Sequence, residues 1–258
     1  VKEWAIKTFA EAKADIKSNG GIPVPLDARS VGVLLLTSLL LTIFYYYGRP
    51  LYFRSNLEKP LLEALSMETS TYRGLFAYGY WAITSLVIRV GVPVACIWFW
   101  FNDSIRNYGF RMWEKGHGRY YLVLFLIMLP LLIGASFTES FQGKYPFYSD
   151  AGKSWVHFAL YQLTYGTQFF ALEAFFRGFL IFALFRRFGY YGILIMTIPY
   201  CMIHFGKPVA ETVGAIIAGV VLGYAALKSK SWLPGAMLHW GVGFTMDIAC
   251  ILQDKFRG

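Results

Sequence analysis

The chain has 258 residues, of which 57% are hydrophobic and only 15% charged, and its mean hydropathy is +0.47. A soluble domain of this size carries about 25% charged residues, and no polar stretch here is long enough to fold as a separate soluble domain. The formal charge of +9 would suit nucleic acid on a soluble protein. Here the Lys and Arg residues lie mostly between hydrophobic runs, where they serve headgroup contact and topology. No basic run interleaved with aromatics resembles a nucleic-acid surface, so the partner expected is a lipid bilayer and not nucleic acid.

Residues 1–30 are expected to be an amphipathic amino-terminal surface segment. Ala5, Phe9, Ala12 and Ile16 recur at helical spacing, with Lys7, Lys13 and Lys17 elsewhere on the wheel. The pattern fits either a helix lying on the membrane or a soluble cap. The first apolar run starts only after about thirty residues, so the first span, not a cleaved leader, is expected to act as the insertion signal.

A spanning helix takes about 20 mostly apolar residues. Seven runs are candidates: residues 31–47, 75–101, 120–137, 155–185, 190–205, 209–227 and 232–252. Residues 49–74 contain Pro50, Pro60 and an amphipathic patch at 57–65. They are read as a lateral surface helix, with room for an eighth membrane-inserted element. The second and fourth runs are long enough to tilt or to extend beyond the bilayer. Pro199 is placed to kink the short fifth run. In the sixth, Ala215, Gly219 and Gly223 stand four apart and let helix backbones approach closely. Tyr45, Tyr46, Tyr47, Trp98 and Trp100 lie near span ends, where aromatic belts form. Cys96, Cys201 and Cys250 read as buried free thiols. The fold class is an all-α polytopic membrane protein of seven or eight transmembrane helices, with three of them in residues 31–153. Arg29, Arg106, Arg111, Arg186, Arg187 and Lys228 gather on the amino-terminal side, which puts that end in the cytoplasm. Arg49, Arg54, Lys59 and Arg73 in the 49–74 loop oppose that orientation.

Ionisable groups inside a bilayer are costly, find partners and mark function. The fourth span reads LEAFFRGFL, and its Glu173 and Arg177 stand four apart on one helix face, in the favourable Glu-before-Arg order. Gln162 and Gly166 continue that stripe. By themselves Glu173 and Arg177 fit a bundle-locking ion pair as well as a site. His204 ends the fifth span in YCMIHFG, and the seventh carries His239 and Asp247. Counting depth at about 1.5 Å per residue brings Glu173, His204 and Asp247 into one layer, with His239 nearer the inner end. A polar site is thus expected among the fourth, fifth and seventh spans. A carboxylate and a histidine can deprotonate a water while a second donor steadies an oxyanion. Alternatively, Glu173, His204 and His239 could hold Zn²⁺ with an open water position, although no HExxH motif is present.

These residues resemble the CAAX protease and bacteriocin-processing family of intramembrane proteases, whose signatures are EExxxR, FxxxH and HxxxN. LEAFFR matches the first, Tyr200 to His204 the second and His239 the third, in order and on separate helices. The resemblance covers roughly residues 154–252 and makes 154–258 the core. Two positions depart from the pattern: Leu172 stands where the family has its first glutamate, and Gly243 where it has a polar residue. The resemblance implies a multi-pass protein of a prokaryotic cell membrane. It implies cleavage of a peptide bond in a membrane-anchored protein or peptide, with no cofactor if the reaction is of the glutamate type. It gives Glu173 and His204 the water, His239 the oxyanion or a share of the water, Arg177 the orientation of Glu173 and Asp247 the completion of the site. Glu211 becomes a rim residue in contact with substrate, while Glu139 is read as interface polarity. A non-catalytic scaffold or immunity protein is the alternative that the two departures favour.

Overall fold

The structure is a computed structural model and describes residues 27–257. The surface helix expected over residues 1–20 lies outside the described residues. Every regular element among the described residues is helical.

Helix α1 (Ala28–Tyr47) starts at Asp27, whose carboxylate accepts the Ser30 amide at 2.9 Å, the ordinary way to satisfy a first-turn N–H. Two short helices follow, α2 (Pro50–Asn56) and α3 (Glu58–Leu65). The second of these forms over the amphipathic patch at residues 57–65. Helix α4 (Leu75–Trp100) contains π-helical turns at Leu86–Gly91 and Cys96–Trp100. Then come α5 (Gly118–Ser136), the short α6 (Glu139–Gln142), α7 (Trp155–Phe188), α8 (Tyr191–Met202), α9 (Val209–Ser229) and α10 (Leu233–Arg257).

Six of these, α1, α4, α5, α7, α9 and α10, are long and apolar enough to cross a membrane. The fifth expected span is shorter than read. Helix α8 has 12 residues, or about 18 Å, which is less than the hydrocarbon thickness. Past Met202 the chain turns back, with Gly206 at φ +85°, a conformation that favours glycine. His204 therefore sits in a turn and not inside a span.

Helix α7 is the hub. Of its most apolar stretch 78% is buried, against 11% to 33% for the other long helices. Its sequence is apolar on all sides, which suits a helix surrounded by others, and Glu173 through Ile181 are all buried. Small residues admit its neighbours. A Cβ on Gly178 would lie 2.9 Å from Trp232 Cδ1 and 3.1 Å from the Tyr108 carbonyl. Helix α8 packs on α9 by the same device, with Thr197 Cγ2 only 2.7 Å from a Cβ on Gly219. This confirms the packing role of the small-residue stripe.

At the end that holds the start of α1 and the end of α7, Asp103 gathers the termini. Its carboxylate accepts from Arg186 at 2.6 Å and Asn107 at 2.7 Å, and stands 3.9 Å from Arg29. Partial burial alone would raise its pKa, but the bonds from Asn107, the Ser104 amide and Arg186 outweigh that and hold it at about 2, below the usual 3.8. A lowered carboxylate pKa adds stability that is full above 3.8 and is lost as pH falls toward 2. Thermal melts of detergent-solubilised protein should therefore show wild type losing more stability than Asp103→Asn between those two pH values. Parallel curves would contradict the clamp.

Candidate active site

Glu173 and Arg177 are fully buried on α7, Glu173 at the entry to a π-helical turn over Ala174–Leu180 and Arg177 within it. Such turns recur at functional sites. Arg177 Nη1 donates to Glu173 Oε1 at 3.0 Å, and Nη2 donates to the Ala218 carbonyl of α9 at 3.3 Å. The guanidinium also lies 3.7 Å over the Tyr200 ring of α8. His239 Nδ1, on α10, is 2.9 Å from the same Glu173 oxygen. One carboxylate oxygen is thus held by two helices. The other, Oε2, is buried and has no hydrogen-bond partner among the described residues. It faces α10 at Gly235, where a Cβ would stand 3.3 Å from it.

His204 is buried in the turn after α8. Its Nδ1 is 2.8 Å from the Tyr200 carbonyl. A carbonyl only accepts, so Nδ1 carries a proton and Nε2 is left free to accept in the neutral ring. Thr212 of α9 donates to the His204 carbonyl at 3.0 Å and holds the turn in place. Tyr200 is the element that sequence reasoning undervalued. Its ring centroid is 4.8 Å from that of His204 and 6.4 Å from that of His239, and it carries the Arg177 guanidinium. The two histidines flank this ring. No hydrogen bond joins His204 to Glu173 or His239 among the described residues.

The depth order differs from the sequence reading. His239, not Asp247, shares a level with Glu173. The count assumed helix ends at one height, but α7 runs on to Phe188 beyond the start of α10. Asp247 lies two turns further along α10, fully buried, where its Oδ2 accepts from Gln162 Nε2 at 2.7 Å. Glu211 accepts from Tyr145 at 2.6 Å and from Lys207, so it ties the loop between α5 and α7 to the His204 turn. Glu139 is exposed as the first residue of α6.

The zinc alternative of Glu173, His204 and His239 finds no preformed ligand group. Among the described residues no group of three or more His, Cys, Asp or Glu side chains is placed to hold a metal ion. The Tyr200 ring lies beside both histidines, and the carbonyl bond at His204 Nδ1 leaves its Nε2 open.

Both departures from the family pattern have a packing reason. Leu172 packs against the apolar cluster that includes Phe175, Phe176 and Leu180. Gly243 lies against Phe169, whose Cζ would be 2.7 Å from an added Cβ. A further interior cation is Arg89, an arginine inside the second apolar run. It is buried, stacks 3.7 Å over Phe44 and has a long 3.4 Å bond to Gln168. An arginine in an apolar run was the signal that could have found it.

Removing Arg177 strands a buried carboxylate. Arg177→Ala should cost on the order of 3–5 kcal/mol, read as a large drop in melting temperature, and an unchanged melt would contradict the buried pair. Restoring the family's side chain at Gly243→Asn should also lower the melting temperature, because the side chain meets Phe169. Adding Phe169→Ala should recover part of that loss, and no recovery would dismiss the steric account.

Comparison of the chain with curated proteins and with solved structures gives no match. Residues 154–245 match the family model described as Rce1-like, type II CAAX prenyl endopeptidase Rce1-like. The matched stretch contains Glu173, Arg177, His204 and His239 and ends just before Asp247. With its apolar helices the protein is an integral, multi-pass membrane protein. The region from residue 154 to residue 245 is therefore similar to the Rce1-like type II CAAX prenyl endopeptidase family, consistent with the CAAX protease and bacteriocin-processing resemblance of its motifs.

Proposed function

We propose that this protein is an intramembrane endopeptidase that hydrolyses a peptide bond of a membrane-associated or lipid-anchored protein, with Glu173 as the base. The observation that carries the reading is the unpartnered, buried Oε2 of Glu173, on a carboxylate whose other oxygen is held by Arg177 and His239. A base needs an orientation and a free lone pair, and this group has both.

In the proposed reaction a water at Oε2 gives its proton to Glu173 as its oxygen adds to the peptide carbonyl carbon. The carbonyl electrons move to oxygen, and an imidazolium Nε2–H of His239 steadies that charge. Both ring nitrogens of an imidazolium donate, so Nδ1–H meets Glu173 Oε1 and Nε2–H is left for the oxyanion. His204 Nε2 accepts the second water proton as a hydrogen bond. Collapse breaks the C–N bond, and the leaving amine takes the proton back from Glu173. Arg177 keeps the carboxylate in place throughout.

The second reading is a non-catalytic scaffold of the same family. It is favoured by Leu172, which puts a hydrocarbon side chain where the family has a carboxylate, and by Gly243, which has no polar atom to offer. Cleavage of a candidate membrane substrate in proteoliposomes separates the two. Wild type should cleave it, while Glu173→Gln, His204→Ala and His239→Ala should each lose at least about a hundredfold in rate. Equal processing by wild type and Glu173→Gln would remove the endopeptidase reading.

A further inference from the structure

Buried Asp247 and Gln162 and half-buried Trp240 form a polar chain that has no hydrogen bond to Glu173, His204 or His239 among the described residues. Gln162 Nε2 donates to Asp247 Oδ2 at 2.7 Å, and Gln162 Oε1 accepts from Trp240 Nε1 at 3.1 Å. Gln162 belongs to α7, the other two to α10. Trp240 lies on Gly166, where an added Cβ would be 3.0 Å from Cε2 of the indole. Its sequence neighbour is His239.

The two helices run antiparallel along one seam. Asp247 meets Gln162, Gly243 meets Tyr165 and Phe169, Trp240 meets Gly166, His239 meets Phe169 and then Glu173, and Gly235 meets Glu173. Most of this seam is apolar or aromatic. In a bilayer such surfaces have no hydrophobic reason to prefer one register over another, because lipid is as apolar as they are. Hydrogen bonds supply that preference, since a slip leaves polar groups unpaired in hydrocarbon. A slip of one residue moves a helix by about 1.5 Å and turns it by about 100°. His239 would then leave Glu173.

We propose that Gln162, Trp240 and Asp247 are positioning residues, a hydrogen-bonded ruler that sets the register of α10 on α7 and so holds His239 against Glu173. The ruler acts at a distance. From Gln162 to Glu173 is roughly 16 Å along α7, and from Asp247 to His239 roughly 12 Å along α10. Asp247 takes part as the acceptor for Gln162 and not as a proton carrier. The proposal rests on the reading of Glu173 and His239 as the working pair.

The full chain has only four histidines, so ¹⁵N-histidine labelling of the purified protein in micelles gives a countable spectrum. Trp240→Phe keeps a ring over Gly166 and removes only the indole donor, which makes it the mild variant; Gln162→Leu and Asp247→Leu are the stronger ones. In each, the His239 Nδ1 resonance should lose its carboxylate-bound position while those of His157 and His117 stay. In the cleavage assay kcat should fall by about tenfold or more with KM within about twofold. Asp247→Asn keeps an oxygen that can accept from Gln162, so it should rescue both the resonance and the rate lost in Asp247→Leu. An unmoved His239 resonance in folded Trp240→Phe and Gln162→Leu overturns the ruler. So does an Asp247→Asn protein as slow as Asp247→Leu with His239 in place, since that makes the carboxylate itself chemical. If wild type and Glu173→Gln are equally inactive, the endopeptidase reading fails, and the His239 resonance still decides the ruler.

Discussion

The interaction on which the rest depends is the burial of Glu173 and Arg177 together on one turn of α7. Neither can exist alone at that depth, because an unpaired ion removed from water costs several kcal/mol. Their mutual bond leaves most of the guanidinium to be satisfied, and it reaches for the Ala218 carbonyl on α9 and the face of Tyr200 on α8. The carboxylate reaches His239 on α10. One ion pair thus links four helices, which is the reason the most buried helix of the bundle can carry charge in its interior.

That link works only because the surrounding backbones come close. Gly178, Gly219, Gly223, Gly235 and Gly243 each stand where an added Cβ would press on a neighbouring helix or on Glu173 itself. In hydrocarbon, close packing and interhelical hydrogen bonds replace the hydrophobic drive of soluble folds. The same closeness explains the departures from the family motif. Phe169 occupies the room that a side chain at residue 243 would need, and Leu172 belongs to the apolar packing between α7 and its amino-terminal neighbours. At the level of Glu173 this leaves a carboxylate with one oxygen free of hydrogen bonds among the described residues.

The sequence by itself determined a good deal. Length and uninterrupted apolarity placed α1, α4, α5, α7, α9 and α10 to within a few residues, because a run of that composition has no stable place outside a membrane. Helical periodicity put Glu173 and Arg177 on one face, and small-residue spacing marked the α9 seam. The short motifs, in order, pointed to the family whose model matches residues 154–245.

Only the tertiary structure decided which ionisable groups meet. Depth counting could not see that α7 extends past the start of α10, so it paired Glu173 with Asp247 where the fold pairs it with His239. It could not see that α8 stops short and leaves His204 in a turn, nor that Tyr200 lies beside both histidines. Arg89 shows the same limit from the other side, since its partners Phe44 and Gln168 are far away in sequence. Helix lengths and faces follow from local patterning, whereas stagger between helices follows from which polar groups find partners across the bundle, and that is a property of the packed whole.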